Sequence, residues 1–214
     1  MIFENRKDAG AKLAQVLQKY KGKGAIVLAL PRGGVPVGAE VAKTLNLPLD
    51  ILSVRKIGHP GNPEYALGAV TENDTTVFNE QEKSQIDPIW LAEETKKQIQ
   101  EAQRRRILYF PMNPKPITVN QTAILVDDGV ATGLTMEAAI KQLQSLASQT
   151  RSGRLVQIVV AVPVIPKETA QKFRKLGAEV IALEEPEEFL GSVGSYYKNF
   201  PQVSDEEVIT LLKK

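Results

Sequence analysis

The stretch Ile124 to Thr135, ILVDDGVATGLT, constrains this chain more than any other. Apolar residues from Ala123 to Val126 suffice for a buried strand, and Asp127 and Asp128 follow where such a strand leaves the core. The two charges therefore belong at the rim of a sheet. Gly129 and Gly133 permit a tight turn, Thr132 and Thr135 offer hydroxyls, and Met136 to Leu146 continues in a helical pattern. Unpaired amides at a helix N-terminus, reinforced by the macrodipole, favour a phosphate. The adjacent carboxylates repel a phosphate and suit hydroxyl groups or Mg2+. A core strand ending in a solvated turn would explain Asp, Gly and Thr here. It would not explain two acids set against a Gly/Thr cradle. Neither G-x-x-x-x-G-K-[ST] nor G-x-G-x-x-G occurs in the chain, so a P-loop or dinucleotide enzyme would lack its defining loop.

With 214 residues, 43% apolar and 24% charged, the chain can bury one full core and carry a small appendage. A net charge of +2 is too mild to call for nucleic acid or an anionic membrane. Zero cysteines remove disulfides and thiolate chemistry, and the lone His59 argues against a Ser-His-Asp triad or a His-rich metal site. Carboxylates, basic side chains, backbone and Mg2+ remain. Met1 to Gly10 has no apolar signal region, and no run of about 18 apolar residues is present to span a bilayer. The expectation is a soluble, cytoplasmic protein without a membrane partner.

Around the central loop the chain alternates strand and helix patterns. Asn5 to Tyr20 reads as an amphipathic helix ended by Gly22 and Gly24, and Ala25 to Leu30 as a strand. Pro31-Arg32-Gly33-Gly34-Val35-Pro36 then leads into a helix from Val37 to Leu45. Paired glycines let amides approach an anion, and Arg32 adds a fork suited to phosphate oxygens. Leu49 to Val54 reads as a third strand. The following Arg55 to Tyr65 holds two prolines and two glycines, which predicts an irregular, mobile lid with Arg55 and Lys56 at its base and His59 as a solvated turn residue. Leu67 to Val70 and Thr75 to Phe78 read as paired short strands about Glu72 to Asp74. Asp87-Pro88 starts a helix reaching Leu108, in which Arg104 to Arg106 form a solvated face rather than a nucleic-acid patch. Pro111, Pro114 and Pro116 form an extended link back to the central strand. Val156 to Val162 and Ala178 to Leu183 are further strands, separated by a helix through Ala170, Phe173 and Leu176 that ends at Gly177. Phe189, Tyr196, Tyr197 and Phe200 in the tail serve packing or stacking on a base equally well. The fold class expected is α/β, a Rossmann-like, mainly parallel sheet flanked by helices, with ligands outside the carboxyl ends of the strands.

Ile124 to Thr135 closely resembles the 5-phosphoribosyl 1-diphosphate (PRPP) motif of type I phosphoribosyltransferases. Arg55-Lys56-Ile57-Gly58, Pro60-Gly61-Asn62-Pro63-Glu64 and Gly68-Ala69-Val70 resemble a bacterial stand-alone group of that family. The resemblance implies that Asp127 and Asp128 contact the ribose hydroxyls, and that the loop Gly129, Val130, Ala131, Thr132, Gly133, Leu134, Thr135 holds the 5'-phosphate. It places Arg32, Gly33 and Gly34 in the pyrophosphate loop, often built on a strained or cis peptide, and Arg55 and Lys56 in the flexible loop that closes over PRPP. It also implies a small hood over the acceptor, giving a core of residues 1–183 with a helical insert near 87–108, and a hood or tail of residues 184–214. Hypoxanthine and guanine enzymes usually carry Asp at the position of Ala131, so this form looks nearer to adenine, xanthine or uracil enzymes.

The reaction so implied is Mg2+-dependent transfer of the phosphoribosyl group of PRPP to a nitrogen acceptor, a nucleobase in nucleotide salvage, with release of pyrophosphate. Asp127 and Asp128 would be catalytic and metal-binding, Arg55 and Lys56 catalytic through the lid. The partners expected are PRPP and a small-molecule acceptor, not nucleic acid, with a homo-oligomer open. A PRPP-binding regulator without turnover and an enzyme with a non-base acceptor are the alternatives.

Overall fold

The computed structural model describes residues 1–109, 121–149 and 157–213. The expected proline link through Pro111, Pro114 and Pro116 lies outside the described residues, as does Val156.

Among the described residues, a five-stranded parallel sheet is built from β1 (Ala25–Ala29), β2 (Leu49–Ile51), β6 (Thr122–Val126), β7 (Ile158–Val164) and β8 (Glu179–Glu184). Its order is β2-β1-β6-β7-β8, with Val27 beside Leu49 and Ile124. The inner strands are apolar because both faces are covered. Ile26, Leu28, Leu125, Val160 and Val162 share one core cluster, whereas Val27, Ile124, Val126, Val159 and Ala161 share another. This is the period-two alternation of strand side chains. Against the second set pack α1 (Arg6–Val16), through Leu13 and Ala14, and α2 (Gly34–Leu45), through Val37 and Val41. Against the first pack α5 (Leu134–Gln149), through Met136, Ile140 and Leu143, and α6 (Lys167–Lys175), through Ala170 and Phe173.

This order places the site. The chain leaves β1 through a helix on one face and leaves its neighbour, β6, through a helix on the opposite face. A crevice must therefore open between the carboxyl ends of β1 and β6. The Arg32 loop and the Asp127 loop both emerge there.

A second, antiparallel sheet holds β3 (Val54–His59), β4 (Asn62–Thr71) and β5 (Thr76–Phe78). Two expectations are corrected here. Leu49 to Val54 is not one strand: Leu52 N–H still bonds Ala29 O at 3.1 Å, but Ser53 exchanges bonds with Glu72, accepting from its N–H at 3.0 Å and donating to its carboxylate at 2.5 Å. The chain changes sheets at that residue. Arg55 to Tyr65 is likewise not irregular but a hydrogen-bonded hairpin turning at Pro60-Gly61. Pro63 fits because the register slips on both sides of Gly58, so no ladder donor is required of it.

This small sheet lies between two helices. Val54, Ala69 and Val77 join the cluster under α5, while Ile57, Leu67 and Val70 pack on Leu91, Trp90 and Ile99 of α4 (Pro88–Tyr109). Asp87 caps α4, accepting from Trp90 N–H at 2.7 Å. The short α3 (Glu80–Lys83) precedes it. Arg104 to Arg106 do not form one solvated face: Arg106 reaches Asp50 at 2.6 Å and Ile51 O at 2.7 Å, and Arg105 binds Glu101 at 2.9 Å. A planar guanidinium satisfies a buried carboxylate and a strand-end carbonyl together, which favours burial over solvation.

The tail folds back onto the N-terminus. Phe3 N–H donates to Tyr196 O at 2.8 Å, Lys198 N–H donates to Phe3 O at 2.8 Å, and Phe189, Tyr196, Tyr197 and Phe200 cluster with Phe3, Ala9 and Val164. Beyond them α7 (Asp205–Leu212), which is not among the elements expected above, sets Val208 beside Val35, Ile51 and Tyr109. Its cap is Ser204, whose Oγ accepts from Glu207 N–H at 3.1 Å. No helix of the described residues is long and apolar enough to cross a membrane.

Candidate functional site

The site starts from two backbones in contact. Leu30 N–H bonds Val126 O at 2.9 Å, closing β1 on β6 just before each chain departs. The Pro31–Arg32 peptide is cis. A Cβ on Gly34 would lie 2.6 Å from Val126 O and 2.9 Å from Asp127 Cα, and one on Gly33 would lie 2.6 Å from Asp128 Cγ. The paired glycines are thus needed for the two loops to touch at all. Through them the loop of Arg32, Gly33 and Gly34 meets Asp127 and Asp128 at the switch point of the sheet.

Asp127 Oδ1 accepts from Asp128 N–H at 2.8 Å, which turns the first carboxylate back over its own loop. Asp128 Oδ2 accepts from Arg6 Nε at 2.7 Å, with 11% of the Arg6 side chain and 14% of the Asp128 side chain exposed. Tyr197 Oη donates to Asp128 O at 2.5 Å. Desolvation, followed by the charge of Asp128, pushes the Asp127 carboxyl well above its usual range. Desolvation raises Asp128 too, opposed by the Arg6 guanidinium. Burial also raises the Tyr197 phenol, which keeps it a donor. Among the described residues, two crowded carboxyl groups share the one close guanidinium of Arg6, which leaves room for positive charge or hydroxyl donors.

The loop after the acids splits into anchors and a presented tip. Val130 is buried and its N–H bonds Val164 O at 2.9 Å, while Leu134 is buried in the core beside Met136. Ala131 and Thr132 between them are exposed. Gly129 has no room for a side chain, since a Cβ would lie 2.5 Å from Val193 Cγ1. Gly133 has φ +80° and would direct a Cβ to within 2.6 Å of Thr169 Cγ2, so conformation and space both exclude other residues. The amides from Ala131 to Thr135, including the half-buried Thr135, have no internal acceptor among the described residues. They open the first turn of α5, where an anion is favoured.

The basic residues are divided. Arg32 Nη1 lies 3.3 Å from Asp205 Oδ1, which also accepts from Tyr109 Oη at 2.7 Å. Arg55 is half-buried and donates to Gln98 at 3.1 Å. Burial, then the charges of Arg105 and, more weakly, Arg32, lower its pKa, so these guanidinia share one electrostatic neighbourhood. Lys56 is on the other face of β3, donating to Glu64 O at 2.8 Å and lying 3.3 Å from the Glu64 carboxylate. Adjacent strand residues point to opposite faces, so the structure brings Arg55 toward the Arg32 side and leaves Lys56 on the hairpin's own edge. Both have partners within the chain. His59 Nδ1 accepts from Gly61 N–H at 3.1 Å within the turn.

Arg6, Tyr197 and Asp205 are not legible as site residues in the sequence. Nothing local marks Arg6 or Tyr197, whose partner Asp128 is 122 and 69 residues away. Asp205 follows the Ser204-x-x-Glu207 signature of a helix start, a signal from which α7 could have been read.

A family model for the phosphoribosyl transferase domain matches residues 1–197. The chain belongs to the phosphoribosyl transferase family. The crystal structure of TT1426 from Thermus thermophilus is similar over 99% of this chain and 98% of that one, with a TM-score of 0.77 and 40% identity. Proteins from two strains of Mycobacterium tuberculosis, provisionally named phosphoribosyl transferases, are 39% identical over 215 aligned residues. This chain spans 47% of the length of those curated relatives. Family membership agrees with the parallel sheet and with the place of the two loops at its carboxyl edge.

Proposed function

We propose that this chain transfers the phosphoribosyl group of PRPP to a nitrogen acceptor, with pyrophosphate leaving from the ribose carbon. The observation that carries the reading is the contact of Gly33 and Gly34 with Asp128 and Asp127, which sets a cationic loop, a carboxylate pair and an open helix N-terminus around one crevice. Family membership supplies the substrate class, because pyrophosphate, ribose and 5'-phosphate need those three kinds of partner.

In this reading the amides of Ala131 to Thr135 hold the 5'-phosphate. Asp127 and Asp128 accept from the ribose hydroxyls and oppose the positive charge that develops at the sugar. Arg32 receives the pyrophosphate, which competes with Asp205 for the guanidinium, and Arg55 adds its charge from the hairpin. Lys56 would have to leave Glu64 to take part, so its role depends on movement of β3 and β4.

Asp127 and Asp128 also suit Mg2+. They are adjacent carboxylates with a deficit of positive charge, although the described residues hold no cluster of three or more acids or histidines that would cage a metal alone. A magnesium ion held by one or two carboxylates takes its other ligands from substrate oxygens and water. Bound there, it would neutralise charge on the departing pyrophosphate.

The test is a panel of nucleobases and amines incubated with PRPP and Mg2+, following pyrophosphate and the ribosylated product. Release tied to one acceptor is expected, and its absence in a chain that binds PRPP tightly would favour a regulatory protein. Absence of PRPP binding would overturn the reading altogether.

A further inference from the structure

Arg6 is the first residue of α1, far in sequence from every loop of the site, yet its guanidinium makes three separate engagements there. Nε donates to Asp128 Oδ2 at 2.7 Å, Nη1 donates to Pro201 O at 2.7 Å, and the guanidinium carbon lies 3.7 Å from the centroid of the Phe200 ring. Phe200 in turn stacks on Tyr197 at 4.8 Å between centroids, and Tyr197 Oη donates to the carbonyl of Asp128. Asp128 is thus held from both its side chain and its backbone by one continuous assembly of tail and N-terminus. The carboxylate also abuts Gly33, where a Cβ would lie 2.6 Å from Asp128 Cγ. Between Gly33 and Arg6 it has little freedom to rotate.

An arginine committed in this way does more than balance charge. The planar fork lets one side chain satisfy a carboxylate and a carbonyl in fixed directions while stacking on an aromatic ring, and lysine cannot reproduce that geometry. We propose that Arg6 is a positioning residue, which fastens Asp128 to the Phe200–Pro201 segment and so holds the carboxylate in the orientation that the ribose of PRPP requires. The inference rests on the proposed phosphoribosyl transfer, in which Asp128 touches the sugar and Arg6 does not. It adds that the tail is part of the catalytic geometry, through Arg6 at the Asp128 carboxylate and Tyr197 at its carbonyl.

The test uses Arg6→Ala, Arg6→Lys and Phe200→Leu in the full chain, with PRPP, Mg2+ and whichever acceptor supports turnover in the wild type. Misplacing a reacting group by about 1 Å can cost about a hundredfold in rate. Arg6→Ala is therefore expected to lower kcat about a hundredfold while PRPP affinity, measured by calorimetry, changes by less than about tenfold. Guanidinium chloride at non-denaturing concentration should restore part of that rate, whereas methylammonium should not. Phe200→Leu, which keeps the arginine, should lose about tenfold or less, and Arg6→Lys should fall between Phe200→Leu and Arg6→Ala. Full activity in Arg6→Ala overturns the inference and leaves the functional reading standing. Loss of kcat without guanidinium rescue, in a variant that retains the wild-type circular dichroism, also overturns it. If Arg6→Ala does not fold, Phe200→Leu and Arg6→Lys decide, and wild-type rates in both overturn it. A wild type that neither binds nor turns over PRPP removes the functional reading first and this inference with it.

Discussion

The rim loop after β6 and the hairpin β3–β4 both carry residues that the family motif singles out, and they are built on opposite principles. Around the rim, glycines are fixed by what they touch: a Cβ on Gly34 meets the backbone of Val126 and Asp127, and one on Gly133 meets Thr169 and Phe173. At the hairpin tip, a Cβ on Gly61 would meet only the His59 ring, at 3.5 Å. The acids of the loop are crowded and largely buried, whereas the Lys56 side chain is 36% exposed and that of Glu64 96%. The rim is preorganised by packing, and the tip of the hairpin is held by bonds that water can replace. Catalysis by fixed dipoles needs the first kind of construction, and closure over a ligand needs the second.

The sharpest test of that contrast is Asp128→Asn. It should reduce turnover by about 10²- to 10³-fold, as for other groups that stabilise transition-state charge, with a far smaller effect on the urea midpoint. Near-normal turnover would remove the rim loop from the chemistry.

Next in size is a pH effect at Ser53, where the chain passes from the parallel sheet into the hairpin. Burial raises the Glu72 carboxyl to about 7, against the pull of Arg106 and the Ser53 N–H. Between about pH 4.5 and 7 the folded chain keeps a proton that the unfolded chain releases, so stability falls as pH rises through this window and levels above it. The loss should approach about 3 kcal/mol, and Glu72→Gln should flatten it in urea titrations across that range. An unchanged profile in the variant would show that another group is responsible.

Gly34→Ala should cost about 2 kcal/mol, since backbone stands close on two sides of the new methyl, while Gly61→Ala should stay within about 0.5 kcal/mol. Equal costs would break the comparison. The smallest effect on turnover is expected for Lys56→Ala: about a tenfold loss with little change in PRPP affinity, and slower hydrogen exchange of residues 57–66 in the wild type when PRPP and Mg2+ are added. Exchange unaffected by saturating ligand would make the hairpin a static support.

The difference between the two regions also explains what is legible in the sequence. Ala123 to Val126 and Ala25 to Leu30 announce buried parallel strands, because continuous apolar runs of that length have few other uses. Asp127 and Asp128 fall at the rim because a strand exit is the first place where such charges escape the core. The hairpin is hidden because Pro60 and Pro63 argue against strands locally; Pro60 falls in the turn, and the register slip at Gly58 makes Pro63 compatible with β4. Arg106 looks solvated because a run of three arginines conceals the single one that finds Asp50. Arg6 is invisible for a deeper reason: its role exists only once residues 128, 200 and 201 have been brought to it.

That dependence has a consequence for how the protein is made. Arg6 leaves the ribosome about 195 residues before its stacking partner and the carbonyl that fixes its second nitrogen. The parallel sheet can assemble from β1 through β8 before the tail exists, since none of its ladders uses residues beyond Glu184. Contacts of such sequence separation form late. A nascent chain can therefore hold a completed sheet and rim loop while the Arg6 guanidinium beside Asp128 still lacks the Phe200 ring and the Pro201 carbonyl that fix it.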